Sequence, residues 1–278
     1  MSVLSVAKKD FLDIRRSKSV WIVSGLYALL VVFLFYLGRS GTSEPNVASQ
    51  LSALASVGLP FIPIIALMMV YLAIAGERES GSIRYLLSLP NTRRDIVLGK
   101  YLSRGAVGAS VILAAFGVGA VTAVLWYPSL EPTVFAGVAG LTVLLTLAYV
   151  SVAIGISAAT GSRSRAMAGS IGFYIVSTLM MLLPTFSIVA ALKYVLNGRL
   201  ELGLSDHLFE FLRMLSPTIA FRKAFPLVVP SDIETFMTNG DPSAPAYLAP
   251  EVALVILVAW LVVPAVFGLW QFNRADLG

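Results

Sequence analysis

Six stretches of the chain run without a single Asp, Glu, Lys or Arg: Ser19–Gly38, Pro45–Gly76, Gly105–Leu130, Pro132–Ser162, Ala166–Leu192 and Val252–Asn273. They hold 20, 32, 26, 31, 27 and 22 residues. A helix rises about 1.5 Å per residue, so about 20 apolar residues cross a hydrocarbon layer of about 30 Å. Each stretch is long enough for one helical span and too short for two. A charge at the centre of a span costs about 2.5–3.5 kcal/mol on insertion scales, so six clean windows mark six spans. Their predicted cores are 20–37, 57–75, 106–126, 135–159, 166–187 and 250–270. Strands of a membrane barrel alternate apolar and polar residues, whereas Leu26–Leu37 and Val252–Val263 are apolar throughout. Backbone groups in lipid then bond within their own segment, which requires helix. The first window lacks a small-x-small cleavage site before Arg39 and reads as a span, not a leader.

The polar stretches have patterns of their own. Leu4, Ala7, Phe11 and Ile14 recur at helical spacing, with Lys8, Lys9, Asp13, Arg15 and Arg16 over the remaining surface. This predicts an amphipathic helix lying on the membrane surface; the other reading is a solvated basic flank. Residues 76–104 carry six basic and three acidic side chains around Ile83, Tyr85, Leu86, Leu87 and Leu89. Gly81 permits a turn, Leu89-Pro90 ends one short helix, and Asn91 or Thr92 caps the next. Leu86, Leu87 and Leu89 read either as a docking site for another protein or as lipid-facing side chains. The basic loop Thr160–Arg165, with Arg163 and Arg165, reads either as a second contact or as a plain charge anchor. In the long segment 193–249, Leu204, Leu208, Phe211, Leu212 and Leu215 form one apolar face after a Ser205 or Asp206 cap. Ser216-Pro217 starts a further helix through Phe225. Two short amphipathic helices beside the membrane are the expectation, as an exit cap or as a structural lid.

Composition agrees with the windows. Hydrophobic residues make up 58% of the chain and charged residues 13%, against about half and a quarter in soluble domains, and the mean hydropathy is +0.86. The reading is an all-α polytopic membrane protein forming one transmembrane domain over 1–278. Cysteine is absent and histidine occurs once, which excludes disulfide frameworks and multi-ligand zinc centres. The nearest approach to a nucleotide-binding P-loop is Gly99-Lys100, followed by Tyr101 and with Arg94 where the first glycine belongs. The chain therefore cannot cradle ATP in that way. Ser205, Asp206 and His207 are adjacent by chance, since a catalytic triad needs spatial arrangement.

Charge placement orients the spans. With both termini cytoplasmic, the inner segments hold 14 of the 20 basic residues, and the net charge is +8 inside and −3 outside. Short inner loops rich in Lys and Arg set orientation. The windows contain no Asp, Glu, Lys, Arg or His, whereas ion-coupled carriers usually keep such groups at membrane depth. That points to an energy source outside the membrane and a pathway suited to a hydrophobic or amphiphilic substrate. Ser151-x-x-x-Gly155-x-x-x-Ala159 and Ala168-x-x-x-Gly172 are close-packing faces.

The loop 76–104 resembles the membrane subunits of type-2 ATP-binding-cassette exporters of prokaryotes. The residues that carry the resemblance are Glu77, Glu79, Ser80-Gly81-Ser82, Leu86-Leu87, Leu89-Pro90, Arg93 and Gly99-Lys100. Two residues, Asn91 and Thr92, separate Pro90 from Arg93. Leu215-Ser216-Pro217 and the layout of an interfacial helix, six spans and a long outer segment are similar to the family as well. The resemblance implies a permease in the cytoplasmic membrane, two copies forming the pathway, and two separate ATPase subunits carrying ATP and Mg. No cofactor is expected on this chain and no nucleic acid as partner; membrane lipid surrounds it. The ATPase contact is then expected at Glu77, Glu79, Gly81, Arg84, Leu86, Leu87, Leu89, Pro90, Arg93, Gly99 and Lys100, with Arg163 and Arg165 as a second point. The rival readings are a secondary carrier or channel, a membrane-embedded enzyme, and a non-transporting assembly or sensor subunit.

Overall fold

A computed structural model describes residues 3–41, 45–88, 91–229 and 244–275. All regular structure among them is helical: α1 (Val3–Arg15), α2 (Lys18–Gly41), α3 (Val47–Val70), α4 (Ala75–Glu79), α5 (Ser82–Ser88), α6 (Arg93–Trp126), α7 (Pro132–Ala159), α8 (Arg163–Leu182), α9 (Ile188–Lys193), α10 (Asp206–Met214), α11 (Pro217–Ala224) and α12 (Pro250–Arg274). Among the described residues, five helical segments are long and apolar enough to span a membrane: α2, α3 with its α4 continuation, α6, α7 and α12. The predicted fifth window, 166–187, holds the 20-residue α8. It stops at Leu182, before a 3-10 turn at Pro184–Phe186, because proline cannot extend the hydrogen-bond ladder.

Short connections make successive helices antiparallel. The ends of α3, α7 and α12 therefore gather with the starts of α2, α6 and α8 at one end of the bundle, where α4 and α5 also lie. α6 has 34 residues, about 51 Å at 1.5 Å per residue, and so projects well past a bilayer at the α5 end. α7 is central. Of its apolar window 72% is buried, against 17% for α2 and 17% for α12. It packs against α3, α6, α8, α11 and α12. The α7–α12 contact is backbone to backbone: a Cβ on Gly155 would stand 2.4 Å from the Pro264 carbonyl oxygen, and one on Gly268 2.5 Å from the Gly155 Cα. Of the two small-residue motifs, the one in α7 is thus packed at Ser151 and Gly155, with Ala159 exposed at the helix end. The one in α8 is open, since Ala168 and Gly172 are exposed and a Cβ on Gly172 meets nothing within 4 Å.

The segment after α8 corrects an expectation. Ser205 caps α10 by accepting from the Leu208 amide at 3.4 Å, and Ser216-Pro217 starts α11, as the sequence predicts. The helices do not both lie beside the bundle. Thr218, Ile219, Ala220 and Phe221 are at most 2% exposed, and α11 packs on α7, α8 and α12. Its depth is set by hydrogen bonds. Tyr149 in α7 donates to Ser177 Oγ in α8 at 2.8 Å and meets Thr218 Oγ1 at 2.5 Å. Trp260 Nε1 of α12 donates to the Leu215 carbonyl at 2.9 Å. Residues 206–227 thus form a helical hairpin that dips into the bundle, because the run Pro217–Phe221 of α11 carries no charge and a surface position would expose Ile219 and Phe221.

Candidate functional site

The α5 end holds a continuous set of ionic and capping contacts. Asp10 on α1 and Lys100 on α6 are 8% and 4% exposed. Lys100 Nζ donates to Asp10 Oδ1 at 3.3 Å and to Glu77 Oε1 at 2.8 Å. Arg104 grips the same aspartate with two nitrogens, Nε to Oδ2 at 3.0 Å and Nη2 to Oδ1 at 3.1 Å. Its Nη1 donates to the Met69 carbonyl of α3 at 3.0 Å, and Ser103 Oγ also donates to Asp10. Burial pushes the Asp10 carboxyl up, but the Lys100 and Arg104 cations and the Ser103 and Arg104 hydrogen bonds more than offset it. The group stays below the usual carboxylate range. The stability it contributes is therefore complete above about pH 4 and is lost as pH falls through the depressed folded value. Beside this cluster Gly99 lets α1 approach closely, since a Cβ there would meet Val6 Cβ at 2.7 Å.

Two arginines close helix ends. Arg78 Nη1 donates to the carbonyls of Ala158 at 3.0 Å and Thr160 at 2.8 Å, at the end of α7. Arg93 Nη1 donates to those of Phe272, Asn273 and Ala275 at 2.6, 3.0 and 2.8 Å, at the end of α12. The last carbonyls of a helix have no intrahelical partner, and a cation suits that end of the dipole. Both guanidinium groups also flank the Phe272 ring, at 5.6 and 5.5 Å from its centroid. Glu79 Oε2 accepts from the first amide of α8, Arg163 N, at 2.5 Å. Ser157 Oγ of α7 accepts the amides of Ile74 and Ala75 at 2.9 Å each, where α3 breaks into α4.

Within this frame α5 has two sides. Ile83 is 2% exposed, and Leu86 and Leu87 are partly buried against the same core. The i, i+3, i+4 spacing makes these three its inner face. Arg84, Tyr85 and Ser88 point outward, Tyr85 at 72% exposure. Gly81 turns the chain into α5 with φ +77°, which a Cβ would oppose. The Asn91 amide donates to the Leu86 carbonyl at 3.1 Å. Thr92 and Asp95 form a capping box that starts α6.

A family model for ABC-2 family transporter proteins matches residues 4–277. The chain belongs to the ABC-2 transporter family. It is 28% identical over 227 residues to the probable ABC transporter permease protein NosY of Pseudomonas aeruginosa, covering 79% of this chain and 80% of that protein. It is 26% identical over 273 residues to the protein of the same description from Stutzerimonas stutzeri, covering 96% and 94%.

In this ABC-2 chain the loop residues that the sequence singles out divide by environment. Glu77, Arg93, Gly99 and Lys100 face other helices of the chain, and Glu79 joins the loop to α8. Arg163 and Arg165 stand exposed on the first turn of α8, and Arg84 stands exposed on α5. Leu89 and Pro90 lie outside the described residues. Sequence reasoning missed Asp10, Arg78, Ser103 and Arg104 as members of the cluster. The signal for Asp10 was present: Val6, Asp10 and Ile14 recur every four residues, placing an acid in an apolar stripe. The inward face of α1 is centred on that stripe, with Ala7 and Phe11 of the predicted face part-buried beside it, and of that face only Leu4 stands out, 72% exposed. The ion pairs of Asp10 set the centre of the inward face about one residue position away from the one that the apolar spacing predicts. Among the described residues no three His, Cys, Asp or Glu side chains are grouped to hold a metal.

Proposed function

We propose that this chain is the permease subunit of an ATP-driven exporter in the cytoplasmic membrane of a prokaryote. Two copies line the pathway, and two separate ATPase subunits, which bind ATP and Mg, dock from the cytosol on loop 76–104. The names of the two relatives support the permease role, and the loop's resemblance to type-2 exporters supports export. The basic bias of the α5 end supports its cytosolic orientation. The open α8 face at Ala168 and Gly172 supports a second copy there, because small residues permit close helix approach in lipid. A cleft of about 250 Å³ between α3 and α8, lined by Met68, Tyr71, Met167 and Ile171 among others, suits a hydrophobic or amphiphilic cargo.

The observation that carries this reading is the setting of α5. Its leucines anchor it, its outer face is free of that core, and its frame ties it to α1, α3, α7, α8 and α12. A push on Tyr85 would reach the spans through these contacts without deforming a flexible linker. The leucines of the loop thus act as anchors, with Arg84 and Tyr85 as the contact. The test is recovery of the ATPase subunit on the tagged permease at matched expression. Tyr85→Asp leaves the buried face of α5 intact, so normal membrane levels and about tenfold lower ATPase recovery are expected, the effect of losing one interface anchor. Leu87→Asp is expected to lower recovery too, with loss of protein, since it strikes the seat of α5. Equal recovery and equal ATP hydrolysis with Tyr85→Asp would remove the loop from the coupling role.

A further inference from the structure

α3 breaks into α4 where the local sequence favours one continuous helix. Between Pro63 and Gly76 there is neither proline nor glycine, and Leu72, Ala73 and Ala75 are strong helix formers. The ladder is regular at Tyr71, whose amide donates to the Leu67 carbonyl at 2.9 Å, and again at Gly76, whose amide donates to the Leu72 carbonyl at 3.1 Å. Between them it is opened from two sides. Arg104 of α6 takes the Met69 carbonyl at 3.0 Å, and the Ala73 amide, whose helical acceptor that carbonyl is, turns to Val70 at 2.8 Å. The next two amides, of Ile74 and Ala75, leave the ladder and both donate to Ser157 Oγ of α7 at 2.9 Å. A side chain inserted into the ladder is a recognised cause of a sharp bend.

Ile74, Ala75 and Ser157 are fully buried, so the two amides need a partner inside the protein. Without the Ser157 oxygen, their helical acceptors are the carbonyls of Val70 and Tyr71, and using them straightens α3 and α4 into one helix. The Ala73 amide then returns to Met69. All three amides are hydrogen-bonded in the bent arrangement and in the straight one, which is the condition for a joint with two discrete states. The angle of this joint governs what lies beyond it: α4 carries Glu77 to Lys100, Arg78 to the end of α7 and Glu79 to α8, and α5 follows after Gly81. Ser157 itself stands on α7, the most enclosed of the spans, and so holds the joint against a fixed support.

We propose that Ser157 is a positioning residue for coupling: its hydroxyl holds the α3–α4 joint bent, and closure of the ATPase moves the amides of Ile74 and Ala75 from Ser157 Oγ to the carbonyls of Val70 and Tyr71. The proposal rests on the reading of α5 as the ATPase contact. The chain has no cysteine, so a spin-label pair at Leu4→Cys on α1 and Ser82→Cys at the start of α5 reports the joint without background; both positions are exposed. The full-length chain is placed in bilayers, alone and with its ATPase subunit. The label distance is measured without nucleotide and with ATP and vanadate.

The wild-type chain is expected to show one distance alone and to shift to a second when the bound ATPase closes on nucleotide. Ser157→Ala is expected to show that second distance without ATPase, and to lose the shift with nucleotide. Ser151→Ala removes another buried hydroxyl of α7, one that meets no hydrogen-bond partner among the described residues, and is expected to behave as wild type. The proposal is overturned by an unchanged distance in Ser157→Ala, by the same change in Ser151→Ala, or by a wild-type complex in which the ATPase is bound and nucleotide shifts nothing. That last measurement needs no variant and stands even where Ser157→Ala fails to reach the membrane. Failure of the docking reading looks different: no ATPase is recovered on the wild-type chain, while the comparison of Ser157→Ala with wild type in the absence of ATPase still decides whether Ser157 sets the joint.

Discussion

α7 and α8 are successive helices with the same kind of motif, small residues four apart, and opposite surroundings. In α7 the motif touches backbone: Gly155 lies against Pro264 and Gly268 of α12. In α8 it touches nothing of its own chain at Gly172. α7 is held along its whole length by side chains from five helices. α8 is held at particular points, by Glu79 at its first residue, Tyr149 at Ser177, the Tyr174 hydroxyl donating to the Pro60 carbonyl at 3.1 Å, and Arg213 at Met180. A helix that is locked all round serves as a fixed post. One that is pinned at points, with an open apolar face, suits a surface that meets another copy or a cargo.

The sharpest way to break this contrast is to enlarge the two glycines. Gly155→Leu drives a side chain into the α12 backbone, and overpacking costs about 1–3 kcal/mol or more where nothing can yield. A large fall in thermal midpoint and in membrane level is expected. A Cβ on Gly172 meets nothing within 4 Å, so the stability of Gly172→Leu should stay within about 0.5 kcal/mol of wild type. The pairing with a second copy proposed above, read by cross-linking or single-molecule photobleaching in bilayers, should be lost. Equal destabilisation by both would show that α8 is as enclosed as α7.

A smaller effect is expected where the two helices are joined. Tyr149→Phe removes the hydroxyl shared by Ser177 and Thr218 while keeping the ring against Phe173, 5.8 Å away between centroids. Hydrogen bonds between helices in lipid average about 0.6 kcal/mol and reach about 1.7, so a loss near 1 kcal/mol in chemical unfolding is expected. Hydrogen exchange should rise in α11 more than in α7, because α11 is seated by that hydroxyl. Exchange that rises equally along α7 would deny the hairpin its anchor there.

The smallest effect belongs to Glu79→Gln. The carboxylate and the Arg163 side chain are 45% and 56% exposed, a setting in which ion pairs contribute about 0.2–1 kcal/mol and are screened by salt. A drop of that size in low salt, fading at about 1 M where the screening length is about 3 Å, is expected from thermal melts. A larger, salt-independent drop would mean that α8 depends on this one tie.

The windows without charge established the helical class, and five of the six coincide with long apolar helices, because a charge in hydrocarbon and an unbonded backbone in lipid are both costly whatever the tertiary arrangement. Turn chemistry was equally local: Gly81, Thr92 and Ser216-Pro217 act where their sequence context predicts, since caps and positive-φ turns need no distant partner. Where the inward face of α1 is centred was not local. It depended on Asp10 meeting Lys100 and Arg104, some 90 residues away in the chain. The same holds for Leu86 and Leu87, whose pattern fits an exposed docking face and a buried anchor equally well until the core beneath α5 is in place. It holds too for the descent of α11 and for the open and closed small-residue motifs. Periodicity states that a face is apolar or small; what covers that face is a property of the other helices, and only their packing decided it.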